Sequence, residues 1–166
     1  MKPIPDRLRL NLQILFVGFN PSIRSSETGH HYANPNNRFW TILFQAGITS
    51  RKYLPEEDEL LLELGIGFTN IVARPTRAAE DISKEEYNQG RLILLEKIAH
   101  SKPKTVCFVG KGVYQQYSNR KEIPWGVQHE SIIPGVIEFV APSSSGLVRM
   151  KLNDIVSIYQ LLTSFH

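Results

Sequence analysis

The chain has 166 residues and a net charge of +3, with 42% hydrophobic and 21% charged residues. This composition is that of a folded globular protein and excludes the low hydrophobicity and high net charge of a disordered one, and the length predicts a single domain over residues 1–166. The small positive charge is compatible with a nucleic-acid partner but does not require one.

The single cysteine and the N-terminal residues limit the kinds of site that the chain can form. Cys107 stands in the apolar run Thr105–Val109, so we expect a buried thiol and neither an internal disulfide nor a cysteine-ligated metal cluster. Met1–Pro5 lacks the apolar stretch of a signal peptide, and no run is long enough to span a membrane. We therefore predict an intracellular protein with no metal, no cofactor and no membrane partner.

The N-terminal half alternates between predicted strands and helices. The apolar run Leu12–Val17, which a glycine and a proline follow, predicts a buried strand and then a long loop. Apolar residues at helical spacing predict a helix over Asn36–Ala46. A second helix is expected over Pro55–Leu64, because the helix dipole stabilises the acidic residues of its first turn. A strand is expected over Ile66–Val72.

The C-terminal half continues the alternation. Ser83–Glu86 forms a capping-box pattern before a helix predicted over Tyr87–Ala99, and Lys104–Val109 predicts another buried strand. The remaining predicted elements are a short helix over Gly112–Tyr117, one or two strands over Ile132–Val140, and a final helix over Lys151–Leu162. Helices that alternate with buried strands predict an α/β domain of three layers (α/β/α) around a central, mainly parallel sheet.

Two loops fall where such a sheet binds ligands, outside the carboxyl ends of its strands. Gly18–Ser22 follows the first predicted strand, and Pro142–Arg149 follows the last. Taken singly, an Asn-Pro pair is a common turn and a Ser-Ser-Ser-Gly run is usually a solvated linker. Their joint placement therefore carries more information than either loop alone.

Together the two loops resemble the active-site motifs of the mismatch-specific uracil/thymine DNA glycosylases. Three further segments match the same family in order: Gly29–Tyr32, Asn37–Trp40 and Phe68–Thr76. The resemblance extends from about Leu12 to Tyr159. It implies a uracil-DNA glycosylase-like fold and a monomeric enzyme whose partner is double-stranded DNA with a mispaired or damaged base.

The resemblance assigns a base-binding pocket to the first loop and the segments after it. A glycosylase must flip its target nucleotide out of the duplex, and it must then hold a flat ring. Asn20 is expected to position the attacking water, Gly18 and Phe19 to contact the base, Tyr32 to stack on it, and Asn70 to bind its polar edge. Because an amide is not a strong general base, catalysis must depend on orientation and leaving-group stabilisation, and slow turnover is expected.

The second loop is expected to hold the duplex open. Leu147 is suited to act as an apolar wedge that fills the gap left by the flipped base. The resemblance implies that the backbone of Gly146 and Val148 faces the widowed guanine, and that Arg149 supports the loop or a phosphate.

Phosphate contacts are expected from three further residues. Ser143 and Ser145 are small donors that precede a predicted helix N-terminus, and Lys111 lies at the end of a predicted strand. Such contacts position DNA without selecting a sequence.

Substrate and class of function are left partly open. Uracil opposite guanine is the expected target, whereas thymine depends on the space around Ser25, which is expected near the pyrimidine 5-methyl group. Thr76 fits either a pocket role or a structural one, and the adjacent pair His30–His31 lacks a nearby third metal ligand. No lysine lies in either motif, which predicts a monofunctional enzyme that leaves an abasic site. The alternative is a mismatch- or abasic-site-binding module with little catalysis.

Overall fold

A five-stranded sheet is the centre of the fold in the computed structural model, which describes residues 2–165. Its spatial order is β2-β1-β3-β5-β4. All neighbouring pairs are parallel except β4 with β5. The strands are β1 (Ile14–Gly18), β2 (Ile66–Asn70), β3 (Thr105–Val109), β4 (Gly126–Val127) and β5 (Ile137–Ala141).

Five α-helices and three 3₁₀ segments surround the sheet in the described part of the chain. The helices are α1 (Ile23–Thr28), α2 (Phe39–Gln45), α3 (Lys84–Ser101), α4 (Lys111–Ser118) and α5 (Leu152–Gln160). The 3₁₀ segments are Pro55–Leu64, Ala79–Asp81 and Leu161–Phe165. Within residues 2–165, no helix combines the length and the apolar character needed to cross a bilayer.

Alternate residues of the central strands supply two separate cores. On β1, Phe16 packs with α2 and α5 on one face, while Leu15 and Val17 pack with α3 and α4 on the other. Because successive side chains of a strand point to opposite faces, fully apolar strands require a helical layer on each side. The predicted three-layer α/β/α fold is confirmed. Cys107 is buried as expected, and this burial raises the pKa of its thiol.

Several predicted elements are shorter or differently wound in the structure. The helix predicted from Asn36 begins only at Phe39, because the Asn37 side-chain oxygen accepts the Phe39 N–H at 2.9 Å and holds the preceding residues in a turn. Pro55–Leu64 is helical but wound as 3₁₀. The capping box at Ser83 is confirmed, since Ser83 Oγ accepts the Glu86 N–H and Glu86 accepts the Ser83 N–H, each at 3.1 Å.

Two elements depart further from the sequence prediction. The loop expected after β1 contains α1, whose first turn Ser22 caps by accepting the Ser25 N–H at 3.0 Å. Of the predicted span Ile132–Val140, only the part from Ile137 is a strand. The buried Glu138 side chain accepts the Ile132 N–H at 2.7 Å, which folds the earlier residues back across β5 instead of extending it.

The strand order places a crevice at the carboxyl end of β1. The chain runs from β1 to β2 on one side and then crosses to β3 on the other. In an open parallel sheet, ligands bind where successive connections diverge in this way. Both candidate loops, Gly18–Ser22 and Pro142–Arg149, leave the sheet at this edge.

Candidate functional site

A cavity of about 950 Å³ opens at the carboxyl ends of the strands. It brings together most of the residues that the sequence suggested: Gly18, Phe19, Asn20, Ser25, Tyr32, Asn70, Ser143, Ser145, Gly146 and Leu147. The lining also includes residues that were assigned no pocket role, among them Ile4, Asn34, Asn36, Arg38, Arg77 and Glu80. Lys111, Val148 and Arg149 do not line it.

The Asn20 side chain is held in one orientation by two acceptors. Its Nδ2 donates to the Arg74 carbonyl at 2.7 Å and to Thr76 Oγ1 at 2.8 Å. The Thr76 hydroxyl donates its own proton to the Ala78 carbonyl at 2.8 Å, so its oxygen can only accept from Asn20. A flipped amide would place its oxygen against the Arg74 carbonyl. Asn20 Oδ1 therefore stays on the opposite side, and it has no protein partner among the described residues.

The backbone that accepts from Asn20 is itself anchored. The Arg74 guanidinium donates to both carboxylate oxygens of Glu86, at 2.8 and 2.9 Å, and to the Asp81 carbonyl at 2.9 Å. These hydrogen bonds from Arg74 lower the pKa of Glu86 to about 2. The pair ties the loop after β2 to the start of α3, and this fixes the Arg74 carbonyl that orients Asn20.

Gly18 permits a close approach of two polar side chains at the floor of the cavity. A Cβ at this position would lie 2.7 Å from Asn70 Oδ1 and 3.2 Å from the Tyr32 hydroxyl oxygen. Any side chain would therefore displace both groups. The Asn70 amide makes no hydrogen bond within the described chain, so both its donor and its acceptor remain open to a ligand.

Tyr32 presents an aromatic face and a buried hydroxyl. Its ring stacks on Phe39 with 3.9 Å between centroids and 11° between planes, which leaves the opposite face toward the cavity. The residue has a left-handed backbone with φ of 53°, which is uncommon for a non-glycine residue. The hydroxyl is buried and has no hydrogen-bond partner among residues 2–165. Burial raises the pKa of Tyr32, so the hydroxyl keeps its proton and can donate it.

Ser25 and Phe19, the other two residues of the expected base pocket, make structural contacts that leave fewer of their groups free for a ligand. The Ser25 hydroxyl oxygen accepts from Ala33 N and from Ser22 Oγ, both at 3.0 Å. The Phe19 carbonyl accepts from Val72 N at 2.9 Å, and its ring packs against Tyr87 at a centroid distance of 6.2 Å. Of the Phe19 backbone groups, the N–H is thus the one suited to the predicted base contact.

Serine hydroxyls shape the second loop. Ser143 Oγ accepts the Ser145 N–H, and Ser145 Oγ accepts the Leu147 N–H, each at 3.2 Å. Each oxygen acts as an acceptor, so each hydroxyl proton remains free to donate outward. As expected, both serines precede the last helix, since α5 begins at Leu152.

The second loop is docked on the segment that precedes α2. Arg38 N donates to the Ser144 carbonyl at 2.9 Å, and Arg38 Nη2 donates to the Ser145 carbonyl at 3.3 Å. Leu147, at the tip, is 94% exposed and has no core to pack against. The loop thus presents an isolated apolar side chain on a supported backbone.

Three predicted DNA contacts lie beside the cavity rather than in it. Lys111 is exposed at the start of α4, with its Nζ 4.3 Å from the centroid of the Trp125 ring. Arg149 is exposed, whereas the Val148 side chain is half-buried against the core between β1 and α2. The Val148 N–H donates to the Ser145 carbonyl at 3.2 Å, so this backbone group, expected to face the widowed guanine, is already bound within the loop.

The histidine pair is committed to structural contacts. His30 Nδ1 lies 3.1 Å from the buried Asp58 carboxylate, and His31 Nε2 lies 2.9 Å from the Pro5 carbonyl. Because a carbonyl only accepts, Nε2 of His31 carries a proton. Among the described residues there is no cluster of three or more His, Cys, Asp or Glu that could hold a metal ion.

Known proteins share this sequence pattern and this fold. The sequence model of the Uracil DNA glycosylase superfamily matches residues 5–163. Among solved structures, the chain is similar to a protein from Methanosarcina acetivorans whose solution NMR structure is described as that of a candidate uracil DNA glycosylase. The two share 22% sequence identity, with a TM-score of 0.62 and a match that covers 98% of each chain. At this identity the structural likeness supports the shared fold.

Proposed function

The chain belongs to the uracil DNA glycosylase superfamily, and we propose that it removes uracil mispaired with guanine from double-stranded DNA. The observation that carries the proposal is the fixed Asn20 amide, whose unpartnered oxygen shares the cavity with Tyr32 and Asn70. The product would be an abasic site.

The open amide of Asn70 suits the edge of uracil. That edge presents an N3–H donor beside the O4 acceptor, and a carboxamide offers an acceptor beside a donor. Cytosine presents the reverse order, so it fits only a flipped amide. The exposed face of Tyr32 supplies the stacking surface that a flipped base loses when it leaves the duplex.

In the proposed reaction, water replaces the base on the sugar. The bond between C1′ and N1 breaks, and its electron pair leaves with the uracil ring as positive charge develops on the sugar. Asn20 Oδ1 accepts a hydrogen bond from the water and directs its oxygen toward C1′. The new C1′–O bond forms as the water loses a proton to solvent or to the departing base. Donors that face the uracil oxygens stabilise the developing negative charge.

The absence of an ionisable group at Asn20 has a kinetic consequence. An amide orients water but does not take its proton, so the rate depends on geometry and on the leaving group. Slow single-turnover excision is therefore expected. Thymine, which differs from uracil by a 5-methyl group, is a secondary substrate in this proposal, and its acceptance depends on the wall beside Ser25.

A single-turnover assay tests the proposal. Enzyme in excess is mixed with a duplex that contains one G·U pair, and alkaline cleavage then reports abasic sites. Asn20→Ala should lose most of the activity and retain DNA binding. Asn153→Ala, an exposed asparagine on α5 away from the cavity, is the matched control and should behave as the wild type.

Two results would contradict the proposal in different ways. Binding to the G·U duplex without any cleavage would favour the mismatch-binding alternative. Full activity in Asn20→Ala, together with loss of activity in Glu80→Gln, would indicate that a carboxylate and not Asn20 is the catalytic group. Glu80 is the acidic residue in the described cavity lining.

A further inference from the structure

The N-terminal segment Ile4–Arg7, here called the N-terminal strap, forms one wall of the cavity. Ile4 lines the cavity and is 8% exposed, although Pro3 and Pro5 on either side are exposed. The sequence suggested no pocket role for this segment. The wall is therefore made by one apolar side chain whose neighbours face solvent.

The strap is attached to the edge of the sheet at β2. Arg7 and Phe68 exchange two backbone hydrogen bonds, each at 2.9 Å. Arg7 Nε also pairs with the buried Asp58 carboxylate at 3.2 Å. A Cβ at Gly67 would collide with the Arg7 carbonyl, so the glycine makes this close approach possible. The Arg7 end of the N-terminal strap is therefore hydrogen-bonded to β2 as a short antiparallel edge strand would be.

The end of the strap nearer Ile4 is held on both sides of the cavity rim. The Pro5 carbonyl accepts from His31 Nε2 at 2.9 Å, one residue before Tyr32. The Lys2 carbonyl accepts from the Ser26 hydroxyl on α1. Ile4 thus lies between a contact to the Tyr32 loop and a contact to α1.

Asp6 adds a third fixed point. Thr69 Oγ1 donates to Asp6 Oδ1 at 2.7 Å, and Lys97 Nζ pairs with Asp6 Oδ2 at 2.6 Å. Proline on each side of Ile4 restricts the backbone further, because proline fixes its own φ and keeps the preceding residue extended. The position of the Ile4 side chain is therefore set before any ligand binds.

Ser25, expected near the pyrimidine 5-position, lines the cavity together with Ile4. Its hydroxyl oxygen already accepts from Ala33 N and Ser22 Oγ, and a hydrogen or methyl group at the 5-position offers its proton no acceptor. Selection between uracil and thymine at this position is therefore steric. A buried isoleucine side chain on a fixed backbone moves little to make room for an extra methyl group on a ligand.

We propose that Ile4 is a specificity-determining residue that limits the size of the substituent at the pyrimidine 5-position. The inference rests on the proposed base-excision function and deepens it: the N-terminal strap, rather than Ser25 alone, decides how thymine compares with uracil. Shortening Ile4 opens space for a 5-methyl group, which thymine carries and uracil lacks, so the change is expected in the ratio of the two activities.

The test compares kcat/KM for uracil, thymine and 5-ethyluracil opposite guanine in the full chain. Ile4→Ala should raise the thymine-to-uracil ratio by roughly tenfold, the size of effect that one methyl group has in an apolar pocket. Ile4→Val should give a smaller rise, with 5-ethyluracil still excluded. Ile123→Ala, at a core position 9% exposed and outside the cavity lining, controls for the loss of a buried side chain and should leave the ratio unchanged.

Failure of this inference differs from failure of the proposed function. A wild-type chain that excises no uracil overturns both. Active, folded Ile4→Ala and Ile4→Val variants with the wild-type ratio overturn the role of Ile4 alone. An equal rise in Ile123→Ala would also overturn it, because a general loosening of the fold would then account for the change.

Discussion

Replacing Thr76 by valine tests whether orientation of Asn20 sets the excision rate. The variant keeps the shape of the side chain and removes both hydrogen bonds of Oγ1, the one from Asn20 Nδ2 and the one to the Ala78 carbonyl, each 2.8 Å long. Asn20 keeps its bond to the Arg74 carbonyl, so the amide is loosened rather than released. In the proposed mechanism, Thr76 is thus a positioning residue.

The size of the effect follows from the bonds lost. A neutral hydrogen bond contributes about 0.5–1.5 kcal/mol, so loss of the Asn20 contact should slow single-turnover excision by roughly 2- to 12-fold. DNA affinity should not change, because Thr76 has no expected contact with the phosphates. The same loss should lower the melting temperature by about 2–4 °C for each kcal/mol in a chain of this length.

The assay pairs single-turnover excision of a G·U duplex with a separate binding titration and a melting curve. Thr76→Ser restores the hydroxyl and should recover most of the rate. The reasoning fails if Thr76→Val is folded and excises uracil at the wild-type rate. It fails equally if Thr76→Ser is as slow as Thr76→Val, because the hydroxyl would then not be the cause.

Three further predictions concern the DNA contacts and the strap. Leu147→Ala removes a side chain that is 94% exposed, so it should leave stability unchanged yet slow excision from duplex DNA by roughly 30-fold, the value of about 2 kcal/mol of apolar burial. Uracil in single-stranded DNA is the control, and an equal loss on both substrates would contradict a wedge. Lys111→Gln should lower the slope of log Kd against log salt by about one without changing the excision rate at saturation, and an unchanged slope would remove Lys111 from the phosphate contacts. Burial lowers the pKa of His31, so as pH falls below about 6.5 the unfolded chain binds the proton first and stability is lost. His31→Gln should therefore show less loss of unfolding free energy between pH 7.5 and pH 5 in urea titrations, and an identical loss would refute this assignment.

The part of the site that could be predicted from the sequence is carried by short motifs. Asn20, Asn70 and Leu147 stand in segments that resemble the family's motifs, and the resemblance assigned their expected roles. Because parallel strands bring their carboxyl ends to one edge, the loops after the first and last strands were expected to meet there, and all three residues line the cavity.

The sequence left the role of Thr76 open and suggested none for Ile4, because both roles depend on contacts between distant segments. The role of the Thr76 hydroxyl is set by a partner 56 positions earlier, and nothing around Thr76 indicates which of its possible partners it meets. Ile4 lies in a segment with no helical or strand period, and only the fold brings it to the cavity. The same reason explains why β4 was not predicted, since two residues paired with β5 leave no periodic pattern.

The docked loop that carries Leu147 has a consequence after the chemical step. Its backbone is held by Arg38 and by the serines of the loop itself, so its contact with a duplex does not depend on whether the base is still attached to the sugar. On the proposed function, excision removes nothing that Leu147 is expected to touch. We therefore expect release of the abasic product to be slower still than the slow excision step, and the abasic strand to stay shielded from cleavage while Leu147 is in place.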